Sequence, residues 1–206
     1  MKESNRLPEM IVIAGPNGSG KTSVTKKFLH HEWAEGTLYI NPDEVAKNKY
    51  GDWNSPEAIL KAANYCAEIR EQCLREHRSF VFETVMSATE KVDFIIRAKQ
   101  AGFFIRLFFI STLHPSINAA RITDRVMKGG HDVPITKIIS RYYKSLANCK
   151  TVASIVDRLY VYDNSVDGED AKLQFRLANG KLKKMYVTTP SKWAQILLPD
   201  ETHLCK

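Results

Sequence analysis

In the run Gly15-Pro16-Asn17-Gly18-Ser19-Gly20-Lys21-Thr22, glycines at 15 and 20 lead directly into an ammonium and a hydroxyl, which is the spacing of a phosphate-binding loop. Successive backbone N–H groups in such a turn form a concavity for anionic oxygens, and the positive end of the following helix adds to the attraction. Lys21 would neutralise the terminal phosphates of a bound nucleotide and Thr22 would hold Mg²⁺. The context agrees, because residues 10–14 read as a buried strand and the residues after Gly20 as a helix running to about His31. A glycine-rich turn with no ligand is the bland alternative, and the strand-loop-helix setting counts against it.

A nucleotide site does not by itself imply a reaction, so the other polar residues at strand ends decide between switch, motor and kinase. Asp43 follows the apolar Ile40 by three residues, beside the phosphate loop if the second strand neighbours the first. A carboxylate there could accept the proton of an acceptor hydroxyl as that hydroxyl attacks the γ-phosphate. Equally, Asp43 and Glu44 could simply favour the first turn of a helix starting at Pro42. Glu83 closes another apolar run, where a carboxylate can meet Mg²⁺ through water or grip a substrate hydroxyl, and Thr84 and Ser87 extend that polar rim. Arg121 and Arg125, four apart on one helical face, precede Gly129-Gly130, and Arg141 lies on the next helix. Arginines beside a flexible joint can close over ATP and exclude water, so residues 121–134 are a candidate lid. The plain alternative is a solvated face with an intrahelical pair between Arg121 and Asp124.

These side chains need a scaffold, and the pattern supplies an α/β one. Short apolar runs at 10–13, 37–40, 80–82, 103–110 and 159–162 alternate with helical segments at 56–76, 89–100, 115–127 and 134–147. Ser55-Pro56-Glu57 is a helix start, with a capping hydroxyl, proline where no donor is needed and an acid in the first turn. Residues 171–188, turning through Asn179-Gly180, read as an added β-hairpin. The expected architecture is a single P-loop NTPase-type domain over residues 1–206. About five parallel strands are flanked by helices, and the ligand sits at their carboxyl ends.

Composition narrows the class further. The 206 residues are 44% hydrophobic, enough for one core, and the net charge of +7 suits either nucleic acid or a site for polyanionic nucleotides. The basic residues are scattered apart from Lys181, Lys183 and Lys184 in the hairpin, so nucleic acid is the weaker reading. Cys66, Cys73, Cys149 and Cys205 show no Cys-x-x-Cys pairing and the histidines no ligand spacing, so no zinc site is expected. The N-terminus lacks a signal-peptide pattern, and the strongest apolar run contains Arg106 and is too short for a bilayer. The expectation is a soluble cytoplasmic protein that makes no membrane contact.

In order and spacing, residues 13–22, Asn41-Pro42-Asp43-Glu44, Phe82-Glu83-Thr84, Gly129-Gly130-His131-Asp132-Val133-Pro134 and Arg141-Tyr142-Tyr143 resemble the zeta-toxin family. This family of small P-loop kinases includes UDP-N-acetylglucosamine kinases and stand-alone bacterial relatives. The resemblance covers about residues 10–164. It implies that Lys21 and Thr22 serve ATP and Mg²⁺, that Asp43 is the base for a sugar hydroxyl, and that Glu83 and Thr84 line the acceptor pocket. Arg121 resembles the first lid arginine. Two departures bear on the acceptor: His131 stands where toxin members carry a second lid arginine, a role open to Arg125 or Arg141, and Ala67 stands where they carry a substrate-binding glutamate. The family also implies a separate antitoxin as a partner.

The sequence thus points to an ATP- and Mg²⁺-dependent kinase acting on a hydroxyl of a small molecule, with a nucleotide sugar as the leading acceptor. A nucleoside or nucleic-acid 5′-hydroxyl kinase and a non-catalytic ATP-dependent binding protein are the alternatives.

Overall fold

Why the chemistry gathers at one edge follows from the strand order. The computed structural model describes residues 7–28, 37–51, 55–129 and 132–200. Its strands are β1 (Glu9–Ala14), β2 (Leu38–Ile40), β3 (Phe80–Thr84), β4 (Phe104–Ser111), β5 (Arg158–Asp163), β6 (Lys172–Ala178) and β7 (Lys181–Met185). They form one seven-stranded sheet in the order β2-β3-β1-β4-β5-β6-β7. The first five are mutually parallel, as expected, and β6 and β7 add antiparallel. The hairpin is therefore an extension of the main sheet rather than an appendage to it.

The helices are α1 (Lys21–Phe28), α2 (Pro42–Tyr50), α3 (Pro56–Arg75), α4 (Thr89–Gln100), α5 (Pro115–Met127), α6 (Ile135–Val152) and α7 (Lys192–Gln195). Residues 29–31, expected to continue α1, lie outside the described residues. Local chemistry sets the starts of α2 and α3. Asn41 accepts the Asp43 N–H at 3.0 Å and Ser55 accepts the Ala58 N–H at 3.1 Å, each with proline following in the first turn. Caps of this kind contribute about 1 kcal/mol each.

Both faces of the sheet are covered, so the central strands are apolar on both sides. Met10, Val12, Phe80, Phe82, Phe94 and Phe103 belong to the larger core, which also takes in Cys66, Cys73 and Cys149. Ile11, Ile13, Val81, Phe108 and Ile110 meet Val24 of α1 on the other face. The two-residue period carries this division to the strand ends, so Glu83 follows Val81 onto the α1 face.

Strand connections leave β1 toward β3 and β2 on one side, and the chain later returns to β4 and β5 on the other. A crevice opens outside the carboxyl ends of β1, β3 and β4 at this reversal, where open α/β sheets bind ligands. One placement differs from the sequence reading: β2 is the edge strand and β3 lies between it and β1, because the long α3 crossover returns the chain to the centre. Lys181, Lys183 and Lys184 are exposed on β7 at the opposite edge, where lysines discourage pairing with another sheet. Among the described residues no helix is long and apolar enough to cross a membrane.

Candidate active site

The phosphate loop follows β1 and is held by close backbone approaches. A Cβ at Gly15 would lie 1.9 Å from the Ile110 carbonyl oxygen, and one at Gly20 would lie 2.1 Å from Asn164 Nδ2. The first contact is with backbone and could not be relieved without moving the loop, and at Gly20 the φ of 86° adds a conformation that other side chains rarely adopt. Three side chains then fix its course. Asn164 Nδ2 donates to the Ser19 carbonyl at 2.9 Å, Asn118 Nδ2 to the Asn17 carbonyl at 2.6 Å, and Arg141 Nη1 to Asn17 Oδ1 at 3.2 Å. The α1 N-terminus carries no acid in its first turn, so its positive end faces the loop uncompensated. Thr22 is exposed in that turn.

Lys21 folds back over the concavity, with Nζ donating to the carbonyls of Gly15 at 2.8 Å and Pro16 at 3.0 Å. Burial lowers its pKa to about 8; Glu83 and Asp43 oppose that shift, and Arg125 and Arg141 add to it. Two carboxylates and two guanidiniums therefore act on one ammonium. Asp43 acts on Lys21 although β3 lies between β2 and β1. Asp43 also sits exposed in the first turn of α2, so it serves the helix as well.

Glu83 is 8% exposed at the end of β3. Its Oε1 accepts the Thr25 hydroxyl at 2.5 Å and the Tyr39 hydroxyl at 2.7 Å. Burial and then Glu83 push the Tyr39 hydroxyl well above its ordinary value, which keeps it a donor. Both bonds fall on one carboxylate oxygen. Thr84 is buried beside it, and its hydroxyl accepts the Met86 N–H at 3.0 Å instead of lying open to a pocket.

The candidate lid divides. Arg141 reaches the phosphate loop, and Arg125 is exposed on α5 within electrostatic range of Lys21. Arg121 turns elsewhere: Nε lies 2.7 Å from Asp167 Oδ1 and Nη1 donates to the Asn164 carbonyl at 2.7 Å. Instead of the alternative pairing with Asp124, Arg121 is bonded to the loop after β5. Gly129 adopts φ 81°, while Gly130 and His131 lie outside the described residues. Beside Arg121 opens a cavity of about 440 Å³ lined by Gly20, Val24, Tyr162, Asn164, Asp167 and Ala171. It adjoins the phosphate loop and has the size and mixed polarity that a nucleoside requires.

Sequence reasoning missed Asn164, Asn118, Thr25 and Tyr39. Asn164 is fixed because its neighbour Asp163 is locked at the end of β5. Burial opposes the charge on Asp163, but bonds from Ser165, Ser191 and Trp193, the last at 2.7 Å, hold its carboxyl below the usual range. The signal for Asn164 was only its place at a strand end.

ATP and Mg²⁺ fit what is present. The loop, the uncompensated helix end and Lys21 suit a polyphosphate, and Thr22 with Glu83 offers the hydroxyl and carboxylate that a phosphate-bound Mg²⁺ needs. Among the described residues no group of three or more His, Cys, Asp or Glu is gathered where it could hold a metal ion by itself.

Residues 1–170 match the sequence profile of the family described as Zeta toxin. An uncharacterized protein of Haemophilus influenzae is 27% identical over 132 residues, covering 64% of this chain and 91% of its own. Among solved structures, the AvrRxo1-ORF1:-ORF2 complex with ATP superposes with a TM-score of 0.65 at 19% identity, covering 95% of this chain. This chain spans 65% of the length of that one. A structure of the PezAT chromosomal toxin–antitoxin system of Streptococcus pneumoniae gives a TM-score of 0.57 at 18% identity, covering 79% of this chain and 70% of its own. The two superpositions show a shared fold, and the profile match over most of the length shows descent: the chain belongs to the zeta-toxin family.

Proposed function

We propose that this protein is an ATP- and Mg²⁺-dependent phosphotransferase that moves the γ-phosphoryl group to a hydroxyl of a small molecule, with a nucleotide sugar such as UDP-N-acetylglucosamine as the leading acceptor. The observation that carries the reading is the set of charges that act on Lys21: the carboxylates of Glu83 and Asp43 and the guanidiniums of Arg125 and Arg141. A pure nucleotide switch has no need of an acceptor base, so the pair of carboxylates favours transfer.

In this reading Gly15, Pro16, Asn17, Gly18, Ser19 and Gly20 cradle the phosphates, and Lys21 exchanges its two carbonyl partners for phosphate oxygens. Thr22 and Glu83 would hold Mg²⁺, which would offset the phosphate charge. Arg141, fixed on Asn17, and Arg125 offset charge on the group in flight. Asp43 accepts the proton of the attacking hydroxyl. Arg121 serves the nucleoside side through its cavity rather than the phosphoryl group. Thr84 acts on the acceptor side by shaping the turn after Glu83, since its hydroxyl is already engaged.

The whole chain acts as one domain in the cytoplasm, with residues 121–134 as the moving lid. A separate antitoxin protein is a proposed partner, supported by family membership. Incubation with Mg-ATP and a panel of UDP-sugars, nucleosides, dinucleotides and 5′-hydroxyl oligonucleotides, read by the mass shift of each acceptor, tests the assignment. A shifted UDP-sugar is expected. A shifted nucleoside or oligonucleotide would replace the acceptor class, and hydrolysis of ATP with no shifted acceptor would contradict transfer.

A further inference from the structure

Outside the site described above, one buried charge is poorly compensated. Arg70 of α3 is only 4% exposed, and its guanidinium lies 5.3 Å from the Phe82 ring and 5.6 Å from the Phe94 ring. Its Nε is buried with no hydrogen-bond partner. Its one ion pair among the described residues is Nη2 to Glu90 Oε1 at 3.6 Å, beyond hydrogen-bond length. Lys91 takes the same acid at 2.7 Å, although the Glu90 side chain is 59% exposed. Two cations thus share one carboxylate that stands largely in water. A buried, under-compensated guanidinium is costly, and such an arrangement persists where a ligand completes it.

A second feature points to the same place. Glu90 and Lys91 lie in the first turn of α4, whose N-cap, Ala88, supplies no side-chain acceptor. The Lys91 N–H is taken by the Ala88 carbonyl, and the rest of the first turn brings its backbone donors beside two cations and the single Glu90 carboxylate, where an oxyanion suits the excess positive charge. The approach to this end is rigidly built. The turn after Glu83 holds Met86 at φ 60°, with Thr84 Oγ1 accepting the Met86 N–H. Ser145 donates to the Val85 carbonyl, and Asn148 Nδ2 donates to the Met86 carbonyl at 2.8 Å. A non-glycine residue at positive φ is costly and persists only when its surroundings over-determine it. Here they carry the chain from the Glu83 carboxylate to the α4 N-terminus along one fixed path.

We propose that Arg70, Lys91 and the N-terminus of α4 form an anion subsite that binds a phosphate group of the acceptor, at a distance from the hydroxyl that is phosphorylated. The proposal rests on the kinase reading for its purpose, not for its chemistry. The buried Cys66 thiol, pushed up chiefly by burial, is acted on by Arg70, Lys91 and Asp43 together, which puts the cation pair in the same neighbourhood as the acceptor base. Burial also holds Lys91 below its ordinary value; the bond to Glu90 opposes this and repulsion by Arg70 adds to it, so an arriving dianion would relieve both. A phosphate, with more charge than one carboxylate, matches two cations and a helix end. The anchored group would select acceptors by phosphorylation, orienting a distal hydroxyl toward Asp43.

Phosphate could come from a diphosphate bridge or from a monoester, and calorimetry separates them. With the donor site filled by Mg and a non-hydrolysable ATP analogue, UDP and glucose 6-phosphate are titrated in separate arms, with uridine and glucose as uncharged controls. One of the two phosphates is expected to bind with a single equivalent, and its control to bind at least tenfold more weakly. Lys91→Gln weakens that binding about tenfold or more while leaving analogue affinity unchanged, and Lys91→Arg largely retains it. Arg70→Gln has a similar or larger effect if it folds, and Lys91→Gln decides alone if it does not. Saturable binding of neither phosphate, or binding unaltered by Lys91→Gln, overturns the subsite. Failure of the analogue to bind, with phosphate binding still lost in Lys91→Gln, would leave the subsite standing and bring down the kinase reading instead.

Discussion

Around the phosphate loop, the chain is positioned by backbone: the Ile110 carbonyl excludes a side chain at 15, and amides from Asn118 and Asn164 bind main-chain oxygens of the loop. Beyond it the opposite holds, because Thr25, Tyr39 and Glu83 come from separate elements and meet only through side chains. The first arrangement reads a group that is the same in every nucleotide triphosphate. The second can change its acceptor by single substitutions without disturbing the loop, and the departure at Ala67 falls there. A family sharing one donor and several acceptors would be expected to divide its site in this way.

That division can be broken in graded steps. Lys21→Ala removes the charge common to ground and transition states, and kcat/KM for ATP-dependent transfer should fall roughly 1,000-fold or more, with ATP affinity also reduced. Normal kinetics in that variant would undo the donor assignment. Arg141→Ala should cost on the order of 100-fold in kcat, with a smaller change in KM for ATP. Arg121→Ala should act mainly on KM instead, because its contacts lie on Asn164 and Asp167 beside the nucleoside cavity. Equal kcat losses in the two variants would show that both arginines reach the phosphoryl group.

Asn164→Ala frees the Ser19 carbonyl and the wall of Gly20, so ATP should bind roughly tenfold more weakly by calorimetry while the fold persists. Unchanged affinity would mean that the loop is held adequately without it. The smallest effect is on pH. Lys21 titrates at about 8 in the free protein, and phosphate favours its charged form, so binding takes up a proton once pH exceeds 8. Affinity should fall roughly three- to fourfold between pH 7 and 8.5, and Lys21→Ala should remove that slope. The same depression makes free-protein stability rise with pH from about 8 to 10.5, because the unfolded chain then holds the proton that folded Lys21 has released. Thermal melts that fall across this window would contradict the shift.

The donor half was largely readable in advance, because a phosphate loop is a local motif in which sequence spacing is also spatial spacing. The parallel strands were readable for the same reason, each being a short apolar run with punctuation around it. What failed to show was anything that depends on strand order. Asp43 was placed beside the loop on the condition that β2 neighbours β1, which the strand order does not meet, and Arg121 looked like a phosphate ligand or an Asp124 partner until β5 brought Asp167 beside it. Tyr39 and Thr25 converge on Glu83 from the edge strand and the first helix, and nothing local marks either. The Arg70–Lys91 pair was invisible because α3 and α4 are joined through β3, and an arginine in an amphipathic helix reads as solvated until burial shows otherwise.

The central claim is that the carboxylates opposite the arginines make this a transferase rather than a nucleotide-binding switch. Asp43→Asn tests it most directly, with ATP affinity and acceptor phosphorylation measured on the same preparation. Retained ATP affinity with transfer reduced roughly 100- to 10,000-fold is the predicted result. Undiminished transfer would remove Asp43 as the base and contradict the account.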